Sequence, residues 1–222
     1  MPKTTGIVLD VAGQRGGAMP GVTTLYDRSR WANNGAFGAG AAAPTWAQLP
    51  TSVWVLDFDG GDYIDLGTGV SLDCVPAATF LAWINPTALV ADSILFSKAS
   101  WEVAGTQYWL TTDGSLGLYT HQVGAHQQTL SGVGTITTGA WFHIAIVRDG
   151  ATCRMYRDGV DLGVVSAAHI NPLPSSEHGY LGQTNAGTNR YNGKLSGRLY
   201  LFALSAAQVR ARFQATRGLF GV

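Results

Sequence analysis

Glutamate is almost missing from this 222-residue sequence: Glu102 and Glu177 stand against twelve aspartates. A glycoside hydrolase ordinarily sets two carboxyl groups about 5 to 9.5 Å apart. On a strand the simplest way to write such a pair is two acids separated by one residue, because alternate side chains share a face. No Glu-x-Asp-x-Glu run occurs, and Asp57 and Asp59 alternate only into an Asp59-Gly60 turn. No catalytic residue is therefore expected. A hydrolase is the third reading behind two binding readings, and Glu102 is the residue on which to test it. Other catalytic signatures are absent too: no Gly-x-Ser-x-Gly elbow, no His-Glu-x-x-His, no Cys-x-x-Cys and no P-loop Gly-Lys-Ser/Thr.

Charge is equally scarce. Only 13% of residues are charged, and 14 basic side chains balance 14 acidic ones. That balance argues against a general nucleic-acid or anionic-membrane binder, which needs a basic face, and leaves room for a locally basic patch. No apolar run approaches the roughly 18 residues of a membrane span. The start, Met1-Pro2-Lys3-Thr4-Thr5-Gly6, lacks the apolar core of a secretory leader, so either synthesis in a cytoplasm or a leader already removed is expected. Cysteine is limited to Cys74 and Cys153, both in apolar surroundings. They are expected as buried thiols rather than as a disulfide framework. There is no glycosylation sequon, since Pro86 blocks Asn85-Pro86-Thr87.

What the chain has in abundance is glycine, 29 residues spread over many turns. Asn34-Gly35, Asp59-Gly60, Asp113-Gly114, Asp149-Gly150, Asp158-Gly159 and Asn192-Gly193 are tight-turn pairs. Short runs rich in Val, Ile, Thr and aromatics lie between them, the pattern of an all-β sandwich or barrel. The clearest is a meander: strands over 141–148, 152–156 and 160–165. Further strands are predicted over 54–58, 63–66, 79–84, 93–98, 107–111, 116–121, 179–182 and 194–202. One short helix is signalled at the C-terminus. Ser205 and Gln208 make a capping box, Leu204 can staple onto Val209, and Gly218 marks a stop. Residues 1–22 read as an arm or loop ahead of a single domain over 23–222. The expected core comprises Phe58, Phe80, Ala82, Trp83, Trp141, Ile144, Val147 and Tyr156, with Trp54 beside them. His143, apolar on both sides, is expected in the core with hydrogen-bonded nitrogens.

Seven Trp and eight Tyr are the chemical resource. Trp101, Tyr119 and Tyr191 sit beside polar neighbours and turn signals. A sugar ring lays its C–H face on such a ring while nearby polar groups take its hydroxyls. Asn189, His121 and His126 are the candidate polar partners. Packing of loops on the sandwich is the competing role for all six.

Several blocks in order resemble the laminin-G-like, concanavalin A-like jelly-roll family. They are Trp54 through Leu66, with Asp57-Phe58-Asp59-Gly60; Thr79 through Ile84, ending Ala82-Trp83-Ile84; and Ile94 through Lys98. Trp141-Phe142-His143-Ile144-Ala145, Tyr156-Arg157-Asp158-Gly159, Tyr191-Asn192-Gly193 and Ala203 through Gln208 follow. Upstream, Asp27, Ser29 and Asn33-Asn34-Gly35 resemble the family's opening. The resemblance spans about residues 23–215. It implies a two-sheet antiparallel jelly roll with a short C-terminal helix, and a recognition module more often than an enzyme. Many relatives bind calcium, and Asp27, Asp59 and Asp62 would be the oxygen ligands here. The acidic pair usual in the family's closing strand is replaced by Ser196-Gly197-Arg198, so structural calcium is a possibility only. The leading expectation is a non-catalytic interaction module of a virion, a surface, decoration or tail-associated protein, exposed after assembly. Its partners would be other virion proteins or its own copies as a trimer or dimer. A lectin-like carbohydrate binder is the alternative, and both can hold together.

Overall fold

The computed structural model describes residues 6–12, 14–15 and 22–222. In chain order the strands are β1 (Ile7–Asp10), β2 (Gln14–Arg15), β3 (Thr24–Leu25), β4 (Gly35–Phe37), β5 (Thr45–Gln48) and β6 (Val53–Asp59). Next come β7 (Ile64–Asp65), β8 (Ala77–Ala88), β9 (Ser93–Ser100), β10 (Ala104–Leu110), β11 (Leu116–Gln122) and β12 (Ala125–Leu130). The last are β13 (Phe142–Asp149), β14 (Thr152–Arg157), β15 (Val160–Asp161), β16 (Tyr180–Leu181) and β17 (Asn192–Tyr200), and one α-helix among the described residues, α1 (Ala206–Thr216), follows them.

Two antiparallel sheets result. The first runs β15-β14-β13-β8-β17-β6-β2, with β1 on β17 and β5 on β6. The second runs β12-β11-β10-β9-β16-β7-β4-β3. Between them lies the main core, where Phe58, Phe80, Ile84, Ile144 and Ile146 meet Phe96, Tyr108, Leu110, Leu116, Leu118 and Leu181. Phe80 stacks on Tyr108 at 5.2 Å across the two layers. Alternation along each strand decides the rest. Ile144 and Ile146 point inward, so His143, Ala145 and Val147 point outward from the first sheet.

That outward face is covered by α1 and the segment after it. Ala145, Val147, Tyr156 and Val209 form a second cluster. Trp83 belongs to a third with Phe220, on which it stacks at 4.5 Å and 13°. The capping box is present: Ser205 Oγ accepts from Gln208 N–H, and Gln208 Oε1 accepts from Ser205 N–H. Trp83 Nε1–H donates to Thr216 Oγ1 at 2.9 Å and ties the last helical turn to the sheet. No described helix is long and apolar enough to cross a membrane.

Buried ionic contacts fasten the long connections. Arg148 is fully buried; Nη1 donates to Gly150 O and Asn171 Oδ1, and Nη2 to Cys74 O. Lys98, also fully buried, donates to Asp73 Oδ1 and Ser175 O. His169 bridges Thr120 Oγ1 and Thr129 Oγ1, each at 2.8 Å, and pins the 162–179 segment under β11 and β12. Cys74 and Cys153 are buried free thiols, as expected, and burial pushes both up to about 12.

Several expectations need correction. The arm over 1–22 is not an arm at 7–10: β1 pairs with β17, and Val8 and Leu9 are buried in the main core. The domain therefore starts before residue 23; residues 1–5, 13 and 16–21 of the expected arm lie outside the described residues. Trp141 and Trp54 are only half-buried; Trp141 packs edge-on against Phe220 at 4.9 Å, outside the sandwich. The third meander strand stops at Asp161 because Gly163 turns away with φ +66°. His143 is fully buried beside Trp83 and Phe213, but its ring nitrogens have no hydrogen-bond partner among the described residues. Burial pushes it down to about 4.

Candidate functional site

The outward face of the second sheet carries the site. In β10, Tyr108 and Leu110 enter the core, so Gln107 and Trp109 face outward; in β11, Leu116 and Leu118 enter it, so Gly117, Tyr119 and His121 face outward. The register places Trp109 opposite Gly117, Gln107 opposite Tyr119, and His121 opposite His126 of β12. A side chain at Gly117 would strike the Trp109 indole, its Cβ falling 2.3 Å from the ring. Glycine therefore lets the indole lie flat over the strand. Trp109 and Tyr119 then stack in parallel, 5.0 Å apart at 3°.

Trp101, in the turn between β9 and β10, stands over this platform. It meets Tyr119 edge-on at 5.2 Å and lies 5.1 Å from His121 and 4.6 Å from His126. Despite these three rings its own side chain is 53% exposed. A large aromatic left half in water is the unusual feature here; a buried one would be ordinary core.

A polar relay runs beneath the rings. Glu102 N–H donates to His121 Nδ1, which leaves the ring proton on Nε2, and Nε2–H donates to Gln107 Oε1 at 3.1 Å. Gln107 Nε2 in turn donates to Ser97 Oγ at 3.2 Å. The Gln107 amide is thus fixed in orientation and keeps one N–H for a further partner. Burial, aided by the neighbouring His126, pushes His121 down to about 4 and keeps it neutral. His126 Nδ1 meets Glu102 Oε1 at 3.1 Å.

Opposite the rings, the 184–189 loop closes a groove of about 180 Å³. Trp101, Trp109, Tyr119 and Gln107 line it together with Asp92, Ile94, Asn185, Thr188 and Asn189. The loop is braced: Thr184 N–H donates to Thr188 O, and Ile94 N–H donates to Asn189 O at 2.9 Å. Asp92, Glu102 and Asn189 all have φ between +51° and +58°. For non-glycine residues that conformation is uncommon and gathers at functional sites.

Of the six residues predicted, the structure brings Trp101, Tyr119 and Asn189 into the groove, with His121 and His126 against Trp101 as supports. Tyr191 is not there. It is fully buried in the main core, edge-on to Phe58 at 6.0 Å, its hydroxyl donating to Lys194 O. The Asn192-Gly193 turn signal misled, because both residues are already in β17. Gly193 lacks the Cβ that would meet the Tyr191 hydroxyl at 2.8 Å. The sequence reading missed Asp92, Gln107, Trp109, Asn185 and Thr188. Trp109 and Gln107 were recoverable from pairing outward from Asp113-Gly114, which sets Trp109 on the face of Tyr119.

Each of the three aspartates named for calcium is engaged in a local turn. Asp27 accepts from Asp10 N–H, Ser29 N–H, Ser29 Oγ–H and Asn33 N–H, a fully used turn cap. Asp59 caps Gly61 N–H, and Asp62 caps Asp59 N–H. Arg198, in the strand where the acidic pair would stand, pairs with Asp10 at 3.1 Å. Among the described residues no three His, Cys, Asp or Glu side chains converge as metal ligands.

A two-layer antiparallel jelly roll with an aromatic groove on one outer face defines a lectin-like class of fold. The laminin-G family described as the concanavalin A-like lectin/glucanases superfamily matches residues 58–210, and the chain belongs to it. No curated protein matches the sequence. Among solved structures the chain resembles the binding domain of Paraclostridial Mosquitocidal Protein 1, with TM-score 0.72, 14% identity, and coverage of 95% of this chain and 52% of that one. The chain thus spans about half of that domain's length. Domain 4 of AbnA, a GH43 extracellular arabinanase from Geobacillus stearothermophilus in complex with arabinotriose, is similar at TM-score 0.63 and 18% identity. That likeness covers 93% of this chain and 98% of the domain. A structure of botulinum neurotoxin type C, whose cell entry is described as dependent upon interaction with two ganglioside molecules, gives TM-score 0.62 and 11% identity over 95% of this chain and 51% of that one. At these identities the likeness is one of fold.

Proposed function

We propose that this protein is a non-catalytic recognition module that holds a saccharide in the groove between Trp101 and Asn189. The observation that carries this reading is the half-exposed Trp101 standing over a braced aromatic platform, facing a loop of amide and hydroxyl side chains. Rings offer a flat apolar face to sugar C–H groups; Gln107, Asn185, Asn189 and Asp92 offer donors and acceptors to hydroxyls. That arabinotriose is found with a domain of the same fold supports the reading. Glu102 holds His126 rather than standing opposite a second carboxylate. On a printed glycan array the wild-type protein should retain a defined set of glycans, and Trp101→Ala should lose them. Release of reducing sugar from a bound polysaccharide, abolished by Glu102→Gln, would contradict the non-catalytic part.

A second reading concerns where the module works, and it leaves the first intact. β15 and the segment after it expose three apolar side chains, Val160, Val165 and Ile170. Arg outnumbers Lys 11 to 3 in the whole sequence, and arginine is enriched at interfaces while lysine is depleted. Both favour a protein that contacts its own copies or neighbours in a particle such as a virion surface, as trimer or dimer. Light scattering at micromolar concentration tests this; a clean 23.4 kDa monomer would count against it.

A further inference from the structure

The charges around the groove narrow the class of sugar. Asp92 is the charged side chain in its wall, and Glu102 lies behind Trp101. Two cations come near in sequence, and both are committed elsewhere. Arg190 follows Asn189, but its guanidinium donates to Gly61 O and lies over the Tyr63 ring at 5.6 Å. Lys98 points into the sandwich, toward Asp73 and Ser175. No lysine or arginine among the described residues lines the groove. His121 adds no positive charge near neutral pH, since its two nitrogens are taken up by Glu102 N–H and Gln107 Oε1.

We infer, resting on the saccharide reading above, that the groove selects uncharged saccharides and rejects sialylated, sulfated or uronic acid forms of the same core. A neutral sugar presents vicinal hydroxyls, each a donor and an acceptor. Those match an Asp92 carboxylate, which only accepts, in the same groove lining as the fixed Gln107 amide, which still has one N–H to give. A carboxylate or sulfate on the ligand has no hydrogen to offer Asp92, meets its negative charge at short range, and finds no guanidinium or ammonium to pair with. Partial burial strengthens that repulsion by lowering the local dielectric. The same burial raises the Asp92 carboxyl above its usual range.

The test uses the intact protein on a printed array carrying neutral glycans beside sialylated, sulfated and uronate versions of the same cores, probed with wild type and Asp92→Asn. The wild type should retain neutral glycans and bind their anionic counterparts about tenfold more weakly or worse. Asp92→Asn should narrow that gap by about threefold or more, because it keeps the shape and removes the charge. Raising the salt should narrow the gap for the wild type and leave the variant nearly unchanged. Anionic glycans retained as well as, or better than, neutral ones would overturn the charge selection and leave the saccharide reading standing. An array on which the wild type retains nothing overturns the saccharide reading itself, and this inference with it.

Discussion

Gly117 decides where Trp109 can lie, and Trp109 decides the shape of the groove. A methyl group at 117 would overlap the indole at 2.3 Å, far inside contact distance. Any shift of the ring disturbs its stack on Tyr119. Gly117→Ala should therefore tilt the platform, weaken saccharide binding at least about tenfold and cost on the order of 1–3 kcal/mol of stability, the range for overpacking a tight site. Titration calorimetry and urea unfolding read the two effects separately. Arg148 acts purely on stability. Removing its guanidinium leaves the buried Cys74 O, the half-buried Gly150 O and the Asn171 Oδ1 without their donor. Arg148→Ala should cost about 3 kcal/mol or more by denaturant midpoint, with the groove residues untouched.

At the scale of elements, the site belongs to one sheet and the helix to the other. β10, β11 and β12 set the rings by cross-strand pairing, while α1 seals the outward face of the first sheet. Ser205→Ala removes one half of the capping box and should lower stability by about 1 kcal/mol, read by thermal or urea unfolding, with glycan affinity unchanged. A loss of binding in that variant would show that the two faces are coupled. Most strands were legible because turn pairs and alternation mark them: the predicted 116–121 became Leu116–Gln122, and 93–98 became Ser93–Ser100. β12 was missed because Ala125-His126-Gln127-Gln128 has none of the branched or aromatic residues that signal a strand. It forms because the Val123-Gly124 turn, with Gly124 at φ +72°, folds it back on β11. The site was legible in the same measure. Trp101 and Tyr119 were found from polar neighbours, whereas Asp92, one residue ahead of β9, has no aromatic beside it to mark it, and the 184–189 loop reaches the groove only through its long-range bond to Ile94 of β9. Tyr191 shows the opposite error: a turn signal beside a tyrosine says nothing of a core that closes over it.

On the scale of the whole molecule, three buried histidines make folding sensitive to acid. Burial holds His121, His143 and His169 at about 4, with His126 adding to the effect on the first and Arg148 on the third. In the unfolded chain each returns to about 6.5. Between these values the unfolded state binds more protons than the folded one, so stability rises with pH and is lost as pH falls from about 6.5 toward 4. Each histidine contributes a slope of up to about 1.4 kcal/mol per pH unit. Unfolding curves at pH 7, 6, 5 and 4.5 should show uptake approaching three protons in that window, and His143→Phe should remove about one. A flat profile would contradict the buried, neutral state of these rings.

The central claim, that Trp101 and the platform beneath it hold a saccharide, is tested most directly by the indole N–H signals of the protein in solution. Seven tryptophans give seven such signals, each assignable by single substitution. On titration with a neutral oligosaccharide retained by the array, the signals of Trp101 and Trp109 should move together and saturate, while those of Trp83 and Trp141, on the opposite sheet, stay in place. Movement at Trp83 or Trp141 with Trp101 and Trp109 unmoved would put the ligand on the wrong face of the sandwich and contradict the account.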